Sequence, residues 1–345
     1  MAIVQKACAL GAGKQGVALS EAACTYLLAI EVQDMALGSH FPELPRSLIP
    51  FFGPEPFADR EIPGLQFLTL FERLVGLAVD ADTYFSCLAW LHKLRLKYEL
   101  VLKTQAIPTM DQVGPRGLLQ YGTAPDAALP PLMQWRKWFF DIDNRAAQLT
   151  GYLFEPILAA ALGGTPASAR KSPVRRRNNS SKGRQVDCVR EKDAYEFKIR
   201  LTIAASGQGR WSEELDFAPD CQASGFRPIL VVLDPTPNSR LSELQQVFRE
   251  NGGEAYVGDA AWQHLESEAG DVMGRFLKQY VQQPIQALLA AAPVALPPLV
   301  ATDRGESIDL MIGDDSIRIA RSRETVAAED DDLIPDDIDD QVPGV

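Results

Sequence analysis

The sequence predicts an α/β fold in which a mixed β-sheet is flanked by helices and follows a mainly helical N-terminal region. Apolar residues recur at three- and four-residue spacing in LAWLHKLRLKYELVL, which indicates a helix over 81–104. Short β segments at 185–189 and 195–204 surround a polar turn. The apolar run PILVVL at 228–233 is typical of a buried parallel strand. Helical patterns before and after this strand complete the α/β pattern.

Composition and periodicity divide the chain into five regions. They are a helical region at 1–106, a Gly/Pro-rich connector at 107–131, the α/β core at 132–300, a β-hairpin at 301–323 and an acidic tail at 324–345. The core opens with a helical pattern that stops at Gly163-Gly164. We expect the polar, basic stretch 165–184 to be a mobile loop, and the tail to be disordered because it has few apolar residues to bury.

The formal net charge of −12 is unevenly distributed. Nine acidic residues lie between Glu324 and Val345, without any Lys or Arg, so the rest of the chain has a net charge of only −3. Between Arg170 and Arg184 the chain has seven basic residues and no acid. Screening confines surface fields to about 8–10 Å, so a local positive patch can bind an anion although the whole chain is acidic.

Several classes of protein are excluded by composition. No apolar run approaches the roughly 20 residues of a membrane helix, and the N-terminus lacks a secretory signal, so we expect a cytoplasmic protein. The five cysteines form no CxxC pair and the three histidines lack ligand spacing, which argues against disulfides and zinc. Any metal should therefore be a hard cation held by carboxylates.

The segment VDCVREKDAYEFKIRL contains the candidate chemistry. Side chains alternate along a strand, so Glu196 and Lys198 lie on one face. If 190–193 form a hairpin loop, Val189 pairs with Ala194 and Asp187 lies opposite Glu196 on that same face. Two adjacent carboxylates repel each other unless a cation lies between them, and Mg²⁺ suits such a pair.

This group of side chains suits phosphodiester hydrolysis. A metal stabilises charge on phosphoryl oxygens and activates a water, while a nearby lysine orients or deprotonates that water and stabilises the transition state. Upstream, Glu155 lies within the apolar surface YLFEPILAAAL. A carboxylate is costly to bury without a partner, so Glu155 is a candidate metal ligand or a support for one.

Glu155, Asp187 and Glu196-Phe197-Lys198, on a helix followed by a hairpin, resemble the PD-(D/E)XK nuclease superfamily. The run from Tyr195 to Asn238 is similar to type II restriction endonucleases of the ApaLI kind. The resemblance implies a PD-(D/E)XK-type core with Mg²⁺ held by Asp187, Glu196 and the Phe197 backbone carbonyl, with Lys198 as the catalytic lysine. Val186 stands where the superfamily motif has proline.

The same resemblance implies an activity and partners. The expected reaction is sequence-specific, Mg²⁺-dependent hydrolysis of double-stranded DNA that leaves 5′-phosphates, with the palindrome GTGCAC as the first target to test. Two-fold symmetric sites are usually bound by two-fold symmetric proteins, so a homodimer is expected. A cognate DNA methyltransferase would modify the same DNA site without needing to bind this chain.

Basic and amide side chains near the proposed site are candidates for DNA contacts. Phosphate contacts are expected from residues of the basic stretch, namely Arg175, Arg176, Arg177, Lys182 and Arg184. After the catalytic strand, Gln208 and Arg210 in SGQGR suit close approach to a backbone or base edge. Arg116 in the connector is a further candidate.

Other interpretations stay open. A repair or recombination nuclease of the same fold, or a DNA-binding protein without catalysis, would share these features, although intact Asp, Glu and Lys positions argue against the latter. The run from Gly11 to Gly16 matches GxGxxG. It lacks a βαβ context and the Lys-Ser/Thr ending of a phosphate loop, so it is weak support for nucleotide binding.

Overall fold

The computed structural model describes residues 17–199, 208–237 and 239–322, with the side chains of 208–210 outside the description. The GxGxxG match at 11–16 and the acidic tail at 324–345 lie outside the described residues. The described chain forms two compact units. The first comprises 17–93 and 152–288, and the second comprises 94–151 and 289–322. These boundaries fall within long helices and differ from those drawn from composition.

Three helices form the N-terminal part of the first unit: α1 at Glu21–Asp34, α2 at Phe67–Leu77 and the start of α3 at Ala81–Thr104. Helix α1 begins where the Ser20 hydroxyl accepts the Ala23 N–H at 3.0 Å, which satisfies one of the unpaired donors at the helix start. Every side chain from Ala23 to Val32 is buried, because this helix lies inside the helical cluster. Short 3₁₀ turns at Gly38–His40 and Phe57–Asp59 lie between α1 and α2.

Helix α5, at Leu129–Ala161, contains a proline beside a candidate site residue. Pro156 has no N–H, so the carbonyl of Tyr152 loses its usual helical partner. The indole N–H of Trp90 donates to that carbonyl instead, at 3.3 Å. This replacement bond ties α5 to α3 three residues before Glu155.

A five-stranded mixed sheet forms the centre of the first unit. Its strands, in spatial order, are β1 (Thr165–Ala167), β4 (Val186–Arg190), β5 (Asp193–Lys198), β6 (Arg227–Val232) and β7 (Glu254–Val257). The pairs β1–β4 and β4–β5 are antiparallel, whereas β5–β6 and β6–β7 are parallel. The mixed sheet between helices confirms the predicted α/β class.

Helices cover the sheet on both faces. Helix α6 (Gln208–Ala223) connects β5 to β6, and α7 (Ser239–Glu250) connects β6 to β7. Both pack against a core that includes Ala194, Leu230 and Val232. After β7, helix α8 (Asp259–Leu277) bends at Gly270, then continues through a π-helical turn, Lys278–Gln282, into α9 (Gln283–Ala290). Among the described residues, no helix is both long and apolar enough to cross a membrane.

The basic stretch 165–184 is folded, so its prediction as a mobile loop is wrong. It contains β1 and a small two-stranded sheet of β2 (Arg175–Arg176) and β3 (Asn179–Gly183). The Arg184 N–H donates to the Val174 carbonyl at 2.9 Å. Gly183 permits the fold, because a Cβ atom there would lie 2.1 Å from the Ala169 carbonyl oxygen. Composition revealed the charge of this stretch but not the contacts that order it.

The second unit contains a three-stranded antiparallel sheet: β8 (Leu299–Asp303), β9 (Ser307–Ile312) and β10 (Asp315–Ala320). The β9–β10 turn lies at the Gly313-Asp314 position where the sequence indicated a hairpin. Ile308, Leu310 and Ile319 pack against the fully buried Trp138. The Trp138 indole N–H donates to the Gln105 carbonyl at 3.0 Å, so the polar group of this buried ring is hydrogen-bonded.

Helix α4, at Met110–Gly117, lies inside the connector that glycine and proline content had indicated to be extended. The Thr109 N–H donates to the Gln112 side-chain oxygen at 2.9 Å, as in the T-x-x-Q capping pattern. Val113 also packs against Leu129 and Met133. The cap and this small apolar cluster outweigh the low helix propensity of the segment.

We predict that Gly183→Ala destabilises the protein by about 1–3 kcal/mol, because the added methyl group forces backbone away from backbone at Ala169. Urea unfolding measures the change. Gly76→Ala in α2 is the matched control, since no atom lies within 4 Å of the position of its Cβ and alanine favours a helix. Equal stability of the two variants would show that the Ala169–Gly183 contact is unimportant.

Candidate active site

The hairpin β4–β5 places the candidate catalytic residues on one face of the sheet. Cys188 pairs with Tyr195 and Val189 with Ala194, as predicted, and Arg190 pairs with Asp193. The turn is therefore shorter than expected, with Glu191 at φ 53°. Extending this register by one residue places Asp187 opposite Glu196.

Where the pairing of β4 with β5 ends, the Asp187 side chain accepts a hydrogen bond that a backbone carbonyl would usually accept. Its Oδ2 accepts the Phe197 N–H at 2.8 Å. Phe197 lies in a central strand and is buried, so its N–H would otherwise lose a hydrogen bond. This bond holds the Asp187 carboxylate against the strand that contains Glu196 and Lys198.

The Lys198 ammonium bridges two carboxylates. Its Nζ donates to Glu196 Oε1 at 2.7 Å and lies 2.7 and 2.9 Å from the two oxygens of Glu214 on α6. Burial alone would lower the pKa of Lys198, but Glu196 and Glu214 raise it above its usual value. Lys198 is therefore a charged donor in this structure.

These side chains line one cavity of about 400 Å³, which we call the catalytic cavity. Glu155 reaches it from α5, and Arg176 and Arg184 reach it from the basic stretch. The cavity thus brings together Glu155, Asp187 and the Glu196-Phe197-Lys198 segment, all identified from the sequence.

The carboxyl groups of the catalytic cavity are more readily protonated than exposed ones. Burial, and then the charge of Glu196, raises the pKa of Glu155 to about 7, although Lys198 opposes this. Burial and the neighbouring Glu196 and Glu155 raise the pKa of Asp187 well above its usual range. Burial also raises the pKa of Glu196. The lysine of this cavity, which Glu196 and Glu214 share, does not fully offset the burial of these carboxyl groups.

The donor chemistry of the cavity fits a hard divalent cation. Within the described residues, no three His, Cys, Asp or Glu side chains form a ready-made metal cage. Mg²⁺ does not require one, because it usually binds through one or two carboxylates and keeps several waters. Asp187 and Glu196 supply two carboxylates. Burial and then the charge of Glu196 raise the pKa of Asp187, and a cation would relieve that repulsion.

The basic stretch is held by acidic residues of α6. Arg177 contacts Asp216 and Asp220 at 3.2 and 3.3 Å. The buried Arg184 donates from Nε to Asp220 Oδ2 at 2.6 Å. Arg176 binds Glu213 through both carboxylate oxygens. These pairs neutralise part of the positive patch that the sequence indicated.

The remaining candidates for DNA contacts differ in position. Arg175 and Lys182 are exposed on β2 and β3. Arg116 is exposed on α4 in the second unit. Gln208 begins α6 and Arg210 follows in its first turn, but their side chains lie outside the described residues, as do Ser206 and Gly207. DNA contact by all of these residues stays a prediction.

Sequence reasoning missed Glu214 as a partner of Lys198. The signal was available, because Glu214 lies three and seven residues before Phe217 and Cys221, on the apolar stripe of α6 that packs against the sheet. An acid on a buried stripe needs a partner. Likewise Glu213, Asp216 and Asp220 recur at helical spacing and form the face that contacts the arginines.

The raised pKa of Glu155 predicts how stability depends on pH without divalent metal. Its pKa rises from 4.5 to about 7 on folding, so the folded protein retains a proton that the unfolded chain releases. The free energy of unfolding should therefore fall as pH rises through this range. Glu155→Gln should weaken this decline and raise Tm at pH 8, with roughly 2–4 °C for each 1 kcal/mol gained.

Thermal unfolding in EDTA between pH 5 and pH 8 measures this effect. Glu243→Gln is the matched control, because Glu243 is exposed on α7. A parallel pH profile for wild type and Glu155→Gln would show that Glu155 is ionised at its ordinary pKa.

Comparison with known proteins identifies the family to which this sequence belongs. The model of the ApaLI-like restriction endonuclease family matches residues 66–282, which include the whole catalytic cavity. The Type II restriction enzyme ApaLI of Acetobacter pasteurianus is 57% identical over 221 residues, covering 62% of this chain and 59% of that relative. This chain thus aligns with about three-fifths of the relative's length. No solved structure gives a significant match. The chain belongs to the ApaLI-like restriction endonuclease family.

Proposed function

We propose that this protein is a type II restriction endonuclease that hydrolyses phosphodiester bonds of double-stranded DNA with Mg²⁺ and leaves 5′-phosphates. The main support is the placement of Asp187, Glu196 and Lys198 on one face of the β4–β5 hairpin within a single cavity. GTGCAC is the proposed target, recognised by a homodimer and protected by a cognate methyltransferase.

Asp187 and Glu196 would hold the metal, with the Phe197 carbonyl and Glu155 as additional oxygen donors at the same cavity. When bound, Mg²⁺ supplies positive charge to the phosphoryl oxygens and makes an attacking water more acidic. The Asp187–Phe197 hydrogen bond fixes one carboxylate before any ligand arrives. A preorganised ligand reduces the reorganisation needed during the reaction.

Lys198 would orient the attacking water and stabilise charge on the phosphate. Its raised pKa supports a protonated ammonium and argues against a role as the base. Glu196 and Glu214 hold Nζ from two sides, so the ammonium stays in the cavity when one carboxylate turns to another partner. Glu214 thereby acts as a positioning residue for Lys198.

Digestion of phage DNA with purified protein and Mg²⁺ tests the proposed function. We expect discrete fragments whose ends map to GTGCAC. Glu196→Ala, Lys198→Ala and Asp187→Ala should each reduce cleavage by at least about 100-fold, because each removes a group that acts on the phosphate or its cation. A smear would favour a repair or recombination nuclease, and binding without cleavage would favour a non-catalytic protein.

Asp187→Asn separates chemistry from folding. Asparagine retains an oxygen that accepts the Phe197 N–H but loses the charge, so it should abolish cleavage without lowering the Tm. Asp187→Ala also leaves that N–H unsatisfied, which should cost about 1–3 kcal/mol of stability. Near wild-type cleavage by Asp187→Asn would contradict the assignment of the site.

The cation should be detectable without measuring cleavage. We expect Mg²⁺ to raise the Tm of the wild type, because it relieves repulsion among buried carboxylates, and to have a much smaller effect on Asp187→Asn. Mg²⁺ or Mn²⁺ should support cutting, whereas Ca²⁺ should permit DNA binding with little turnover, because its looser coordination positions the water poorly. Full cleavage in excess EDTA would exclude this mechanism.

A further inference from the structure

Glu213 lies at the mouth of the catalytic cavity between two arginines. Arg176 Nη1 lies 2.7 and 2.6 Å from the two Glu213 oxygens, and Arg184 Nη1 lies 3.4 Å from Oε2. The Glu213 side chain is 49% exposed. An exposed ion pair of this kind contributes little to stability, so Glu213 can leave its arginines at small cost.

Arg184, in contrast, is fixed independently of the Glu213 carboxylate. Its guanidinium is 8% exposed and bonds to Asp220 Oδ2 at 2.6 Å and to the Glu213 backbone carbonyl at 2.9 Å. Asp220 is itself buried. If the Glu213 side chain turns into solvent, these bonds remain and one edge of the Arg184 guanidinium is left available to another anion.

A second cavity of about 260 Å³ adjoins the first, and the two share Arg176, Arg184 and Glu213. We call it the side cavity. It adds Lys182, Asn178 and Asn179, together with two acids that are already paired with arginines, Asp216 and Asp220. Among the residues that the two cavities share, the Glu213 carboxylate is the anion that contacts both arginines.

We propose that Arg176 and Arg184 form a subsite for a DNA phosphate that neighbours the cleaved one, and that the Glu213 carboxylate occupies this subsite in the free protein. The proposal rests on the proposed function. Arginine binds a carboxylate and a phosphate in the same way, through paired oxygens that match its planar donors. A phosphodiester entering from the side cavity would take the place of Glu213, which then moves into solvent.

Asp216 provides the matched comparison. It lies three residues after Glu213 on α6 and pairs with Arg177 at 3.2 Å, yet it lines the side cavity only. Glu213→Gln and Asp216→Asn each remove one negative charge from the same helix face. A long-range effect of charge should change the DNA affinity of both variants equally. Freeing the subsite from its carboxylate should raise the affinity of Glu213→Gln alone.

The test measures affinity for a labelled GTGCAC duplex in Ca²⁺ by fluorescence anisotropy. Glu213→Gln should bind about three- to ten-fold more tightly than Asp216→Asn, since a competing ion pair is removed. In the Arg176→Gln background this gain should disappear, because the guanidinium that contacts both Glu213 oxygens is missing. The Arg176 and Glu213 side chains are 34% and 49% exposed, so the variants should fold, which equal Tm values would verify.

Three results would overturn the proposal: equal gains in Glu213→Gln and Asp216→Asn, weaker binding by Glu213→Gln, or a gain that persists without Arg176. Cleavage by the wild type, measured separately, keeps the two hypotheses apart. Specific cleavage without the gain in affinity would contradict the proposed subsite and still support the nuclease function. The gain in affinity without any cleavage would contradict the proposed nuclease function and still support an anion-binding subsite.

Discussion

The burial of several carboxylates around one lysine is the constraint on which the rest of the first unit depends. Asp187, Glu196 and Glu155 lie together at the catalytic cavity, and their shared negative charge opposes folding at neutral pH. A buried charge is tolerated only when it is paired and hydrogen-bonded. The Lys198 ammonium and the Phe197 N–H provide that pairing, and both come from strand β5. The central strand of the sheet therefore supplies the groups that pair these buried carboxylates.

Helix α6 connects this centre to the proposed DNA-binding surface. One stripe of the helix packs Phe217 and Cys221 into the core and directs Glu214 to Lys198. The neighbouring face binds the basic stretch through Glu213, Asp216 and Asp220. The same helix therefore contacts both the arginines of the basic stretch and Lys198. The arrangement explains why an acidic helix lies beside a site that is proposed to bind an anion.

The sequence was informative where the structure depends on residues close together in the chain. The face shared by Asp187, Glu196 and Lys198 follows from strand alternation and a tight hairpin, both local properties, and the Val189–Ala194 pair confirms the register. The boundaries of α3 followed from periodicity for the same reason, and β6 lies within one residue of the predicted 228–233. Strand β5, however, begins at Asp193 and ends at Lys198, whereas 195–204 was predicted. Helix α4 was missed because glycine and proline content masked a capping pattern and a small apolar cluster.

Contacts between distant segments could not be predicted in this way. The partners of Arg176 and Arg177 lie about 40 residues further along the chain, and Glu214 reaches Lys198 only because the β5–α6–β6 crossover returns α6 to that face of the sheet. Composition records how many charges a stretch contains, but not which charges it meets after folding. The basic stretch was therefore predicted to be a mobile loop, although it is ordered by ion pairs with α6 and by the close approach of Gly183 to the Ala169 backbone.

The same argument applies to the acidity of the chain. A net charge of −12 would repel DNA if the charge were spread evenly, yet a phosphate responds only to groups within about a Debye length. At the junction of the two cavities, those groups include Arg176, Arg184 and Lys182 and the exposed Glu213 carboxylate, which can move away. Asp216 and the buried Asp220, in contrast, stay paired with Arg177 and Arg184. We therefore expect the affinity for a phosphate at this point to depend on which acids can leave, and only weakly on the number of acids in the whole chain.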